Sequence, residues 1–265
     1  MIPFTKAQGA GNDFVLFDAQ RCPDIIRDPA FIQRVCNRHR GVGADGVMIL
    51  SPPEDAGVDM HLDYHNADGS WETFCANGTR CAVAFAIRGE MVRRREIVVR
   101  TGAGDHRAEL LPDGRVRLQI LPPSHVTELM ELNGFKGRQV DSGAPHFVIE
   151  VDDLSEALVA ANGPALRHHA AFQPRGVNVD FFQRIDSQTL KVITYEKGVE
   201  SVMLSCASGS TAACFQAARS GAMSSPIRVV NPGGELSVEF DDGWREVSVT
   251  GPAELVFDAQ LPDDF

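Results

Sequence analysis

The sequence lacks a long hydrophobic run. Nowhere in its 265 residues do apolar side chains continue for the roughly 18 positions that a membrane-spanning helix requires. It also lacks a surplus of positive charge: 25 Lys and Arg stand against 36 Asp and Glu, a formal net charge of −11. That balance argues against a nucleic-acid partner, whose phosphate backbone selects clustered positive charge. The basic stretch from Met91 to Arg100 is short and isolated, and reads as a solvated face. The N-terminus, Met1-Ile-Pro-Phe-Thr-Lys6, has no apolar core of a secretory signal, so the expectation is a cytoplasmic protein with reduced thiols. No C-x2-C spacing occurs among the cysteines at 22, 36, 75, 81, 206 and 214; the closest pairs are C-x5-C and C-x7-C, which argues against a structural zinc site. Gly9-Ala-Gly11 lacks the third glycine and the βαβ pattern of a dinucleotide loop. We expect no metal and no other cofactor.

What is present is an ordinary globular composition, 43% hydrophobic and 23% charged, long enough for one large domain or two. Short apolar or alternating runs predict strands over 13–18, 46–50, 58–64, 96–100, 106–111, 116–121, 147–151, 179–184, 190–195, 227–230, 236–240 and 246–250. Turn residues such as Pro112-Asp-Gly114 separate them. Helices are fewer: 31–37, 154–169 with an interruption at Gly163-Pro164, and two Ala-rich segments, 79–88 and 210–219, that read as buried. Many strands and a few helices without regular alternation predict an α+β fold.

One long-range echo stands out. Cys75-Ala-Asn-Gly-Thr opens the first Ala-rich helix and Cys206-Ala-Ser-Gly-Ser opens the second, half a chain apart. Two similar lobes follow as the simplest organisation, with a boundary near Leu121-Pro122-Pro123: residues 1–121 and 122–250, with 251–265 packing back onto the first lobe. A thiol at a helix N-terminus meets backbone N–H groups without intrahelical partners and the positive end of the macrodipole, which favour thiolate and bind anions. Two such thiols suit a carbon acid. One removes a proton from an amino-acid α-carbon, the other returns one to the opposite face, and the helix ends stabilise charge developing on the carboxylate. Cys22, Cys36, Cys81 and Cys214 read instead as small buried hydrophobes.

In order along the chain, Gly9-Ala-Gly-Asn12-Asp-Phe, Arg38-His-Arg-Gly-Val-Gly-Ala-Asp45, Asn66-Ala-Asp-Gly-Ser, Cys75-Ala-Asn-Gly-Thr-Arg-Cys81, Gly143-Ala-Pro-His146, Gly176-Val-Asn178-Val, Tyr195-Glu-Lys-Gly198, Ser205-Cys-Ala-Ser-Gly209 and Gly251-Pro-Ala-Glu-Leu-Val-Phe257 resemble the diaminopimelate epimerases and their pyridoxal-independent racemase relatives. The resemblance covers nearly the whole chain. It implies two similar lobes, each a strand-rich sheet around a central helix, with the active site in the cleft between them. It implies that Cys75 and Cys206 are the catalytic acid–base pair, tuned by His146 and Glu196. Backbone groups of Ala76, Asn77, Ala207 and Ser208 would hold the reacting carboxylate. Asn12, Asn66, Asn178, Glu196 and Lys197 match substrate-contacting positions, Glu196 toward the amino group.

The implied reaction is conversion of LL-diaminopimelate to the meso form, in lysine and peptidoglycan-precursor biosynthesis. The implied partners are a small amino-acid substrate and a second copy in a homodimer, with no nucleic acid and no membrane. The chain departs from the family pattern at Ala144, where Asn is usual before Pro-His, and at Lys197, where Arg is usual. Gly198-Val-Glu-Ser-Val202 stands in place of Gly-x-Gly-Glu-Thr. Alanine offers no side-chain hydrogen bond and lysine cannot grip a carboxylate bidentately. Racemisation of a different amino acid by the same two thiols is therefore the alternative, and a non-catalytic amino-acid-binding protein a further one.

Overall fold

The computed structural model describes residues 1–221 and 223–265. The chain forms two compact units, Met1–Gln119 with Gly251–Phe265, and Ile120–Thr250. Both are α+β.

In the first unit, β1 (Ile2–Gly9) and β2 (Asn12–Asp18) form a hairpin closed by Ala10 and Gly11, both at positive φ, 55° and 85°. Such a two-residue turn matches the twist of the strands it joins. The chain then crosses through α1 (Pro29–Cys36) to β3 (Gly46–Ser51), parallel to β2. Asp28 caps α1 by accepting from the backbone N–H of Ala30 and Phe31 at 2.9 and 3.0 Å, and Pro29 occupies the first helical position, where no N–H is needed. Next come β4 (Met60–Asn66), antiparallel to β3, and the short β5 (Trp71–Glu72). A second crossover, α2 (Ala76–Arg88), leads to β6 (Glu96–Thr101), parallel to β4, and β7 (Gly104–Leu110) and β8 (Val116–Ile120) complete a meander.

The second unit repeats the plan. Past β9 (Ser124–His125) and β10 (Met130–Leu132), the hairpin of β11 (Phe135–Asp141) and β12 (Pro145–Glu150) crosses through α3 (Glu156–Arg167) to a parallel β13 (Asn178–Arg184). Then β14 (Thr189–Glu196) and β15 (Ser201–Val202) precede α4 (Ala207–Arg219). That helix crosses to β16 (Ile227–Asn231), parallel to β14, with β17 (Gly234–Phe240) and β18 (Val247–Gly251) following. The last strand, β19 (Glu254–Leu261), returns to pair antiparallel with β1.

Each unit wraps its sheet around one helix. α2 packs on β1, β2, β3, β4, β7 and β19, and α4 on β11, β12, β13, β14 and β17. This is why both helices are Ala-rich: small side chains let strands approach on several sides. The outer helix covers the other sheet face. Phe31, Ile32 and Val35 of α1 pack with Val15, Phe17, Val47 and Ile49, and Val159 and Leu166 of α3 with Phe147, Ile149, Phe181 and Ile193.

Several sequence expectations need correction. Segment 154–169 is not interrupted at Gly163-Pro164: α3 runs through both, its buried stripe of Val159, Gly163 and Leu166 held against the sheet. A Cβ at Gly163 would lie 2.6 Å from Tyr195, so glycine permits the close contact there and packing outweighs the local cost of proline. The Ala-rich helices begin at Ala76 and Ala207, three residues before the expected starts, so that Cys75 and Cys206 are themselves the N-caps. Gly78 and Gly209 lie inside the first helical turns rather than in a preceding loop. The sequence pattern also misses the strands β1, β11 and β19 and the short β5, β9, β10 and β15. Pro3 and Lys6 disguise β1, and β19 alternates weakly because it is exposed along most of its length.

Candidate active site

The two cysteines have nearly the same backbone: φ −139° and ψ 110° at Cys75, φ −130° and ψ 110° at Cys206. Both are half-buried, each at the N-terminus of a 13-residue helix. The surroundings differ.

Around Cys75 the side chains are amides backed by a cation. Asn12, at the start of β2, directs Oδ1 toward the Cys75 Sγ at 3.9 Å and accepts a hydrogen bond from Asn77 Nδ2 at 3.3 Å. Its own Nδ2 donates to Asp45 Oδ2 at 2.7 Å. Asp45 and Asp13 share Arg38, at 2.6 and 2.7 Å, and Asp13 also pairs with Lys6. Burial pushes the Asp13 carboxyl up, but Arg38 and Lys6 prevail and hold it below the usual range.

Asn77 Oδ1 in turn accepts from Arg80 Nη2 at 2.8 Å. Arg80 is completely buried, with Nε donating to the Pro252 carbonyl at 3.3 Å. Desolvation lowers its pKa to about 10, against the attraction of the Cys81 and Cys75 thiols. Gly78 lies over apolar side chains: a Cβ there would sit 1.6 Å from the Met48 methyl and 3.2 Å from Phe14. Asn66 is turned to other partners, accepting from Tyr64 OH at 2.7 Å and donating to Ser70 Oγ at 3.0 Å.

Around Cys206 the floor is polar and anionic. The thiol sulfur accepts from the Gly209 N–H at 3.4 Å and lies 3.4 Å from Ser208 Oγ. His146 Nε2 is 3.0 Å from the same hydroxyl, and its Nδ1 is 2.6 Å from Asp180 Oδ2. Thr194 Oγ1 donates to the other Asp180 oxygen at 2.7 Å. Gly209 meets this network where Gly78 meets methionine: a Cβ there would sit 2.0 Å from Asp180 Oδ1. Asn178 Oδ1 accepts from the backbone N–H of Lys197 at 2.9 Å, and Lys197 Nζ reaches the Arg175 carbonyl at 3.3 Å. The Ser208 carbonyl accepts from Ser142 Oγ at 2.9 Å.

The expected acidification of the thiol at a helix N-terminus does not hold at Cys206. Burial pushes its pKa well above the ordinary value, and the charges of Glu196 and Asp180 push the same way, outweighing the hydrogen bonds with Ser208 and Gly209. The helix dipole is a partial charge, whereas two nearby carboxylates are whole ones. Cys206 therefore rests as a thiol. None of the six cysteines forms a disulfide. Burial raises Cys36 and Cys81 to about 12 and Cys22 to about 11, and pushes Cys214 higher still, so these four are inert at neutral pH.

The structure thus gathers Cys75, Asn12 and Asn77 at one helix end, and Cys206, Ser208 and His146, with Glu196 acting through its charge, at the other. Sequence reasoning missed Arg80 and Asp180. The signal for both was a charged residue inside an otherwise apolar element: Arg80 in an Ala-rich buried helix, Asp180 between Val179 and Phe181. A groove of about 410 Å³ elsewhere in the first unit, bordered by Arg21, Arg88 and Asp258, contains none of these residues. Among the described residues no group of three or more His, Cys, Asp or Glu side chains could hold a metal ion, and no helix is long and apolar enough to cross a membrane.

Comparison with known proteins identifies the family of the chain. The family model described as diaminopimelate epimerase matches residues 4–126 and 138–256. The diaminopimelate epimerase of Aquifex aeolicus is 36% identical, with 98% of each chain covered. That of Stutzerimonas stutzeri is 34% identical, with 98% of this chain and 99% of the relative covered. Among solved structures, a probable proline racemase from Agrobacterium radiobacter superposes with a TM-score of 0.76 at 16% identity, covering 100% of this chain and 94% of the other. A hydroxyproline epimerase from Agrobacterium vitis gives 0.73 at 15%, covering 97% and 91%. These two likenesses establish the fold.

Proposed function

Since the chain belongs to the diaminopimelate epimerase family and is an isomerase, we propose that it converts LL-diaminopimelate to the meso form with Cys75 and Cys206 as the acid–base pair. The observation that carries this reading is the pair of cysteines capping equivalent helices in one backbone conformation, one with a buried cation behind it and one with carboxylates.

Cys75, as thiolate, takes the α-proton. The electron pair left on the α-carbon spreads into the substrate carboxylate, where backbone N–H groups of the first turns of α2 and α4 stabilise it. Cys206 delivers its S–H proton to the opposite face, leaving a thiolate there and a thiol at Cys75. Arg80 favours the charged state of its neighbour, and the burial and carboxylates around Cys206 favour the neutral one. Both settings suit this direction of proton flow. Asn12 and Asn77 position the Cys75 side of the substrate, and Glu196 pairs with its amino group.

The decisive experiment incubates the reduced protein with LL-diaminopimelate in deuterium oxide. Stereoinversion with deuterium at the α-carbon is expected, falling by roughly 10²–10⁴-fold in Cys75→Ala and Cys206→Ala. Full activity in either variant would remove the two-thiol reading. Ala144 and Lys197 support a second reading, racemisation of another amino acid, because the lysine ammonium engages a backbone carbonyl. Inversion of a different L-amino acid in the same assay, with diaminopimelate unchanged, would select it.

A further inference from the structure

Asp180 stands in the middle of β13 and is completely buried, as is His146 on the neighbouring β12. A buried carboxylate needs donors. Asp180 has one for each oxygen: the Thr194 hydroxyl at Oδ1 and His146 Nδ1 at Oδ2. An ionised carboxylate only accepts, so Nδ1 carries a hydrogen, and in the neutral ring Nε2 is then an acceptor. The group facing Nε2 at 3.0 Å is the Ser208 hydroxyl, which turns its hydrogen toward the ring. A lone pair of Ser208 Oγ is thereby left for Cys206 Sγ, 3.4 Å away, and the thiol donates into it. With Asp180 ionised and the ring neutral, every hydrogen bond in the chain runs one way, from Cys206 through Ser208 and His146 to Asp180.

We propose that Asp180 is a positioning residue for Cys206: by fixing His146 as the Nδ1–H tautomer it orients the Ser208 hydroxyl so that Cys206 is held as an aimed, protonated donor. The catalytic consequence rests on the two-thiol reading, whereas the tautomer and the state of the thiol belong to the resting protein. The titratable groups facing Cys206 are Asp180 from β13, Glu196 from β14 and His146 from β12; Ser208 and the Gly209 N–H face it from α4. The same geometry explains why position 209 is glycine, since any Cβ there would meet Asp180 Oδ1. At the matching place in the first unit an apolar side chain stands: Met48 lies opposite Tyr64 on its strand pair, as Asp180 lies opposite Thr194.

Two measurements on the full chain test this. In a long-range ¹H–¹⁵N spectrum of labelled protein, with His146→Gln assigning the signals, His146 should show a protonated Nδ1 and a pyridine-type Nε2. The opposite tautomer, or an imidazolium, overturns the proposal. In the second, iodoacetamide labelling of Cys206 is followed against pH by peptide mass spectrometry. Asp180→Asn should move the labelling midpoint down by about one unit, roughly tenfold faster labelling at pH 8, because a charge opposing the thiolate is gone. Its inversion kcat should fall with KM retained. Thr194→Val, which keeps the charge, should leave the midpoint near that of the wild type; equal shifts in the two variants would reduce Asp180 to a packing role and overturn the proposal. Should Asp180→Asn fail to fold, the wild-type spectrum still decides. The expected tautomer in a protein that inverts no amino acid would uphold this assignment while removing the epimerase reading.

Discussion

The helix ends at Cys75 and Cys206 share a sequence, Cys-Ala-x-Gly, and a backbone conformation, yet they rest on different floors. Beneath the first lie Met48 and Phe14, with Arg80 buried behind; beneath the second lie Asp180, Thr194 and His146. The lesson is that a repeated turn supplies geometry alone. Charge is supplied at positions the repeat does not include, by Arg80 further along α2 itself and by Asp180 and Glu196 on strands beside α4, and it sets the two thiols apart. Two helix ends with one backbone conformation thus hold their thiols in opposite electrostatic settings.

The comparison can be broken at the glycines. Gly209→Ala forces a methyl group against a carboxylate fixed by two hydrogen bonds, and should cost about 1–3 kcal/mol of unfolding free energy. Gly78→Ala meets the far end of a flexible methionine and should cost less. Denaturant unfolding of both variants checks the order, and equal losses would mean that the two floors yield alike. The cation behind Cys75 offers a sharper test. Arg80→Met keeps the bulk and removes the charge, so labelling of Cys75 should need higher pH and kcat/KM should drop about tenfold, near 1.4 kcal/mol. An unchanged labelling profile would show that Arg80 serves packing alone. The smallest expected effect lies in the outer layer: Asp28→Ala removes the cap of α1 and should cost about 1 kcal/mol while leaving activity intact. Lost activity there would link the outer helix to the site.

Much of the fold was legible. Strands buried on both faces, such as Gly46–Ser51 and Asn178–Arg184, announce themselves as apolar runs, and the Asn-Pro-Gly-Gly and Asp-Asp-Gly turns punctuate the second half. Strands at the margins, β1 and β19, were not, because a strand half exposed or interrupted by Pro3 carries no clean period. Helix α3 was misjudged at Pro164 because local propensity says nothing of the sheet beneath it. At the site, Cys75 and Cys206 were legible because their signal is local, a residue type repeated in a fixed context. Arg80 and Asp180 were not, because their meaning lies in what surrounds them.

The sequence by itself determined that this chain carries two thiols at two helix ends, since capping and helix initiation depend on residues within a turn of one another. Only the tertiary structure decided how those thiols differ. Burial and the neighbours that strand pairing brings in from distant positions govern protonation, and a carboxylate 26 residues away along the chain reaches Cys206 through the sheet and not through the sequence.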